Sequence, residues 1–159
     1  MKGTAAIDTG ILVGITNSNE NQTRAQQIVK RLIELRLQGV PFITTTAVIT
    51  EAMYLCRKRR GSVGTVALIA NLKKFAISVV DPEDQDGVIN NFDFLQDQSV
   101  NVDYADFHLF SAAIECKSDF LLTVDSKDFF ILSSAFPKLL LKLPYKPEAT
   151  QVTVEIEVF

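Results

Sequence analysis

Short apolar runs alternate with longer amphipathic stretches through most of this chain. TAAID, residues 4–8, is an apolar run of strand length that closes on an acid, and Thr9-Gly10 releases the chain into a short helical segment, ILVGIT. A polar loop from Asn17 to Asn21 leads to Thr23, placed as N-cap of a helix reaching about Gln38. Ala25, Ile28, Val29, Leu32, Ile33 and Leu35 recur there at helical period, and Gly39 is the stop. VPFIT (40–44) predicts a second strand. A helix over about 46–59 follows, broken by Gly61, then another over about 62–75. AISVV (76–80) is the third strand run. Asp81-Pro82 opens the next helix, with Pro82 in its first turn and Glu83, Asp84 and Asp86 at the positive end of its dipole. A helix over about 104–117, a strand over 120–124, a short helix over about 127–133 and a strand LLLKL (139–143) complete the alternation. Such a pattern predicts a parallel α/β sheet covered by helices on both faces, with right-handed crossovers. The last nine residues, QVTVEIEVF, behave differently: Val152, Val154, Ile156 and Val158 fall on one side and Thr153, Glu155 and Glu157 on the other. That is the signature of an antiparallel or edge strand, which the loop YKPEAT would turn back against 139–143. The expected division is a domain over 1–145 and an extension, 146–159, packed on it.

Composition narrows this little. A chain of 159 residues, 47% hydrophobic and 22% charged, suits one globular domain. No apolar run is long enough to span a membrane, and MKGTAAIDTG lacks the apolar core of a signal peptide. Cys56 and Cys116 have no metal-motif spacing and read as packed thiols of a cytoplasmic protein. A net charge of −3 argues against gripping nucleic acid over the whole surface, though it leaves room for a local basic patch beside an acidic pocket.

The acids carry the chemistry. In open parallel sheets, ligands bind beyond the carboxyl ends of the strands, and both Asp8 and Asp125 follow predicted strands. Glu51 shares a helix face with Val48, Ala52 and Leu55, where an acid is costly unless it is paired, metal-bound or reaching water at the stripe's edge beside Arg57 or Arg59. Asp106 shares the face of Leu109, Phe110 and Ala113. Asp103 and Asp106 also fit a capping box, Asp125 a cap of the next helix, and Asp128 that helix's dipole. Several carboxylates at the mouth of one sheet would repel each other unless protonated or neutralised by a cation. Oxygen donors without clustered histidine or cysteine point to Mg²⁺ or Mn²⁺. Arg57, Lys58, Arg59 and Arg60 are the densest basic run, suited equally to nucleic-acid phosphates and to a solvated helix end. His108 and the phenylalanines at 92, 94, 107, 110, 129 and 130 read as packing residues.

The ordered set AIDTGILVGI, TTAVITEAMY, VDYADFHLFSAAIE and LLTVDSKDF resembles the PIN domain over about residues 5–130. The resemblance implies a three-layer α/β sandwich on a parallel five-stranded sheet, here with an extra C-terminal strand. It implies a metal-dependent ribonuclease, of a kind often found as the toxin half of toxin–antitoxin pairs. On this chain Asp8, Glu51, Asp106 and Asp125 would be the catalytic acids and metal ligands, with Asp8, Asp106 and Asp125 binding directly and Glu51 either ligating through water or orienting the nucleophile. Asp103, Asp128, Thr9 and Thr123 would be accessory. RNA, an antitoxin protein and a second copy of the chain are the implied partners. A PIN-like module that binds nucleic acid without cleaving it is the alternative. Haloacid-dehalogenase-like phosphatases also place an Asp after the first strand, but their second Asp would fall on Gly10. A dinucleotide-binding fold would need a GxGxxG motif that is absent.

Overall fold

The computed structural model describes residues 3–16, 22–147 and 153–159. The expected loop at 17–21 and the 148–150 part of the turn lie outside them. The sheet has five strands, all parallel: β1 (Ala5–Ile7), β2 (Phe42–Thr44), β3 (Ile77–Val79), β4 (Phe120–Thr123) and β5 (Glu155–Val158), in the spatial order β3-β2-β1-β4-β5. Among the described residues six helices connect them: α1 (Thr9–Thr16), α2 (Gln22–Leu37), α3 (Thr46–Lys74), α4 (Gln85–Asp97), α5 (Tyr104–Glu115) and α6 (Lys127–Leu139). β1 and β2 are buried at every residue, as strands sandwiched between helix layers must be. Phe107, Phe110 and Phe129 are fully buried, whereas Phe130, the next residue of α6, is 53% exposed.

The helix stops act as their glycines predict. Gly39 takes φ 76°, while its N–H bonds to Arg36 O and the Val40 N–H to Leu35 O, closing α2 in a left-handed turn. At Gly61, φ 61° and ψ −146° interrupt α3, so the two helices expected around it form one kinked element. Asp81, expected to open α4, instead reaches back to α3, accepting from Thr46 N and Thr46 Oγ1, both at 2.8 Å. The N-cap of α4 is Asp84, which accepts from Gly87 N at 2.8 Å, so Pro82 lies before the helix. Thr23 likewise lies inside α2, which already begins at Gln22.

The largest departure concerns the fifth strand. LLLKL is not extended: α6 runs on through Leu139 and ends in a 3₁₀ turn, Leu140–Lys142. Phe129, Leu132 and Phe136 continue a buried helical stripe past the expected end at Ser133, and Leu141 is left 83% exposed. The C-terminal tail fills the position instead. β5 is therefore no additional strand: it is the sheet's fifth, paired parallel with β4 rather than antiparallel with 139–143. Its edge is fixed from outside the sheet by Arg31 of α2, which donates to both carboxylate oxygens of Glu157 at 2.9 and 2.6 Å and covers the Phe120 ring at 5.3 Å. Both cysteines are free. No helix among the described residues is long and apolar enough to cross a membrane.

Candidate metal centre

Neighbouring strands β1 and β4 send the chain in opposite directions: β1 leads toward β2, β4 toward β5. Such a divergence leaves a crevice at the carboxyl ends of the two strands. Asp8 leaves β1 there and Asp125 follows β4 by two residues. A cleft of about 340 Å³ opens at this point, lined by Asp8, Glu51, Asp103, Asp106 and Asp125, and also by Arg24 and Arg59. Four acids expected to converge, Asp8, Glu51, Asp106 and Asp125, do so from the ends of β1 and β4 and from α3 and α5.

Asp8 sits deepest, at 5% exposure. Its Oδ2 accepts from Thr123 Oγ1 at 2.7 Å, while its Oδ1 is buried with no hydrogen-bond partner. Burial pushes its pKa up from 3.8 to about 6; the bonds from Thr123 and the Thr9 backbone oppose this, and the charges of Glu51 and Asp125 add to it. Thr123 also accepts from Asp125 N at 3.1 Å, so one hydroxyl ties the two strand-end acids together. The Asp125 side chain accepts from Lys127 N at 3.3 Å, a capping contact at the start of α6. Glu51 is exposed and accepts from Thr9 Oγ1 at 3.0 Å rather than pairing with Arg57 or Arg59.

Asp106 is half-buried in the first turn of α5. Desolvation, then the charge of Asp8, then a hydrogen bond and charge from Asp128, then Asp103, push its pKa up to about 9. Without a cation it keeps its proton at neutral pH. Asp103 stands at the N-cap position of α5 but makes no capping bond with its side chain, so the capping-box reading fails. Instead its backbone N–H donates to Asp128 Oδ2 at 2.9 Å. One carboxylate oxygen from each of Asp103, Asp106 and Asp128 falls within 4.8 Å of the others. The donor set is all oxygen, one buried oxygen has no partner, and the pKa values of two acids are raised by burial and then by neighbouring carboxylates. All three features fit a hard divalent cation.

The basic run divides. Arg59 lines the cleft, Arg60 donates to Thr16 O at the end of α1, and Lys58 lies 5.9 Å from the Tyr54 ring centroid. Arg24 was not expected. The one trace of it in the sequence is a basic residue in the first turn of a helix, where the dipole disfavours positive charge. His108 is buried in α5, its Nε2 2.9 Å from Gln85 Oε1, and burial lowers its pKa. It does not line the cleft. Gly10 packs so tightly on the residue after β4 that an added Cβ would lie 2.1 Å from Val124 Cγ2, which keeps α1 close against the site.

No family model and no curated protein sequence matches the chain. Solved structures do. One is the Mycobacterium tuberculosis toxin VapC20, described as cleaving the sarcin-ricin loop: TM-score 0.61, 15% identity, covering 80% of this chain and 94% of that one. Another is a chain of VapBC2 from Rickettsia felis, a complex solved with a DNA fragment from its own promoter: TM-score 0.65, 15% identity, covering 98% of both chains. Both are PIN-domain toxin–antitoxin proteins, and at this identity the match establishes that the chain has the PIN fold.

Proposed function

We propose that the chain is a divalent-metal-dependent endoribonuclease. The observation that carries this is the convergence of Asp8, Glu51, Asp106 and Asp125 on one cleft, with Asp8 Oδ1 buried and unpartnered within it. The shared fold with VapC20 supports RNA as the substrate.

Asp8, Asp106 and Asp125 are the proposed ligands of Mg²⁺ or Mn²⁺. Glu51 acts through water, held in place by Thr9, or orients the attacking water itself. When bound, the ion lowers the pKa of that water and offsets charge on the phosphate. Thr123 fixes the rotamer of Asp8 and its distance from Asp125. Asp106 must give up its proton for the ion to bind, and Asp103 and Asp128 are close enough to take up charge beside it. An antitoxin covering the cleft, a second copy of the chain and a cytoplasmic setting follow from the same toxin-like reading.

Incubation of the purified protein with RNA, with and without Mg²⁺ or Mn²⁺, tests this. Cleavage that requires the metal and disappears in Asp106→Asn is expected. An intact wild type that binds RNA and leaves it uncut with either ion would establish the non-catalytic module instead.

A further inference from the structure

We infer that Thr44 is a positioning residue for Asp8: from β2, its hydroxyl fixes the peptide plane from which the deepest acid of the cleft departs. The inference rests on the nuclease reading and adds to its metal site a residue that stands outside the cleft. Thr44 is fully buried and does not line the cleft. Its Oγ1 donates to Ile7 O at 2.8 Å.

That bond falls where the backbone pairing stops. β1 and β2 are in register through Ala5–Phe42 and Ala6–Ile43, and β2 ends at Thr44. Thr45 is already the N-cap of α3, its side chain accepting from Val48 N. The Thr44 side chain therefore bonds the last carbonyl of β1. A trans peptide is planar, so the Ile7 C=O and the Asp8 N–H point to opposite sides of one plate. Thr44 holds the C=O from β2, and Leu122 O of β4 accepts the N–H at 3.1 Å. The next peptide is held as well, because Asp8 O accepts from Ile11 N at 3.1 Å and Leu12 N at 3.3 Å as α1 begins. With a fixed plane on each side of its Cα, Asp8 has one direction for its Cβ. Thr123 then selects the rotamer through Oδ2, while Oδ1 is buried with no hydrogen bond of its own to aim it. Metal–oxygen distances hold within about 0.2 Å, so a small tilt of the Ile7–Asp8 plane is enough to misplace this oxygen.

The test separates placement from stability and from turnover. Thr44→Val removes the hydroxyl and keeps the branched shape, whereas Thr44→Ser keeps the hydroxyl. Thr16→Val is the control: it removes a buried hydroxyl bond to Val13 O, 2.7 Å long, at the other end of α1. For each variant, Mn²⁺ affinity is measured by calorimetric titration without RNA. Exchange of the Asp8 amide is followed by NMR in the metal-free protein, relative to the slowest sheet amides, which report global unfolding. Thr44→Val is expected to weaken Mn²⁺ binding about 10-fold and to speed Asp8 exchange by about as much, with Thr44→Ser within about twofold of wild type. Thr16→Val should lower Tm and change neither readout. If Thr44→Val does not fold, Thr44→Ala set against Thr44→Ser differs by one hydroxyl, and the same separation is expected. Unchanged Mn²⁺ affinity or unchanged Asp8 exchange in a folded Thr44→Val would overturn the inference. Equal weakening in Thr16→Val, loss of affinity in Thr44→Ser matching that of Thr44→Val, or a wild type that binds no Mn²⁺ would do so too. Failure of the nuclease reading appears separately, as RNA left uncut by metal-loaded wild type, and leaves affinity and exchange to decide the role of Thr44.

Discussion

Replacing Asp106 by Asn should make the metal-free protein more stable while removing what the metal adds. The carboxyl of Asp106 is surrounded by Asp8, Asp128 and Asp103, and its pKa rises from 3.8 to about 9. At pH 8 the interval above the unfolded value is about four units, each worth about 1.36 kcal/mol. Water reaches this half-buried side chain and screens the interaction, which leaves on the order of 2 kcal/mol held against the fold. An amide carries no charge and can still donate to Asp128, so Asp106→Asn recovers that amount. For a chain of this length the expected rise in Tm is about 4–8 °C without metal. Wild type should gain about 2.7 kcal/mol when Mg²⁺ reaches a hundred times its Kd, and the variant a small fraction of that. Differential scanning calorimetry with EDTA and with Mg²⁺ reads both effects. A variant that melts no higher than wild type in EDTA, or gains as much from Mg²⁺, would refute the picture of mutually repelling acids awaiting a cation.

The same charges set a pH dependence. Asp8 and Asp106 have folded pKa values raised to about 6 and about 9, so between about pH 4 and 9 the native state binds more protons than the unfolded one and metal-free stability falls as pH rises. Urea titrations across that window should show the decline and its flattening with Mg²⁺; stability climbing with pH would contradict it. Thr123→Val removes the hydroxyl that donates to Asp8 at 2.7 Å and should lower metal affinity at least ~10-fold in calorimetric titration, whereas an unchanged Kd would show that Asp8 needs no positioning. Arg31→Ala breaks the two-bonded tie to Glu157 and should cost about 1.5–3 kcal/mol, with faster hydrogen exchange at Glu155 and Phe159, whose N–H groups donate to Asp119 O and Thr123 O. Unaltered protection there would mean that β5 holds without α2.

What sequence reasoning could reach depended on how local each feature is. Gly39 and Gly61 dictate backbone geometry on their own, and both helix interruptions fall where expected. Likewise, four-residue spacing alone puts Glu51 and Arg59 on one face. LLLKL failed because a short apolar run suits a strand and a helix end equally, and the burial of Phe129, Leu132 and Phe136 decided for the helix. The tail's alternation correctly signalled a strand, but its parallel pairing depends on β4 and on Arg31, 126 residues from Glu157. Asp103 fitted a cap by position, yet no side-chain capping bond forms. Arg24 joins the cleft only through the packing of α2, which no neighbouring residue encodes.

The central claim is that side chains from remote segments share one cation. Crystals soaked in Mn²⁺ and recorded for anomalous scattering test it directly. The account predicts a peak in the cleft within bonding distance of Asp8 and Asp106 carboxylate oxygens, absent from Asp106→Asn crystals. A cleft without anomalous density under saturating Mn²⁺, or a peak confined to acids elsewhere on the surface, would contradict it.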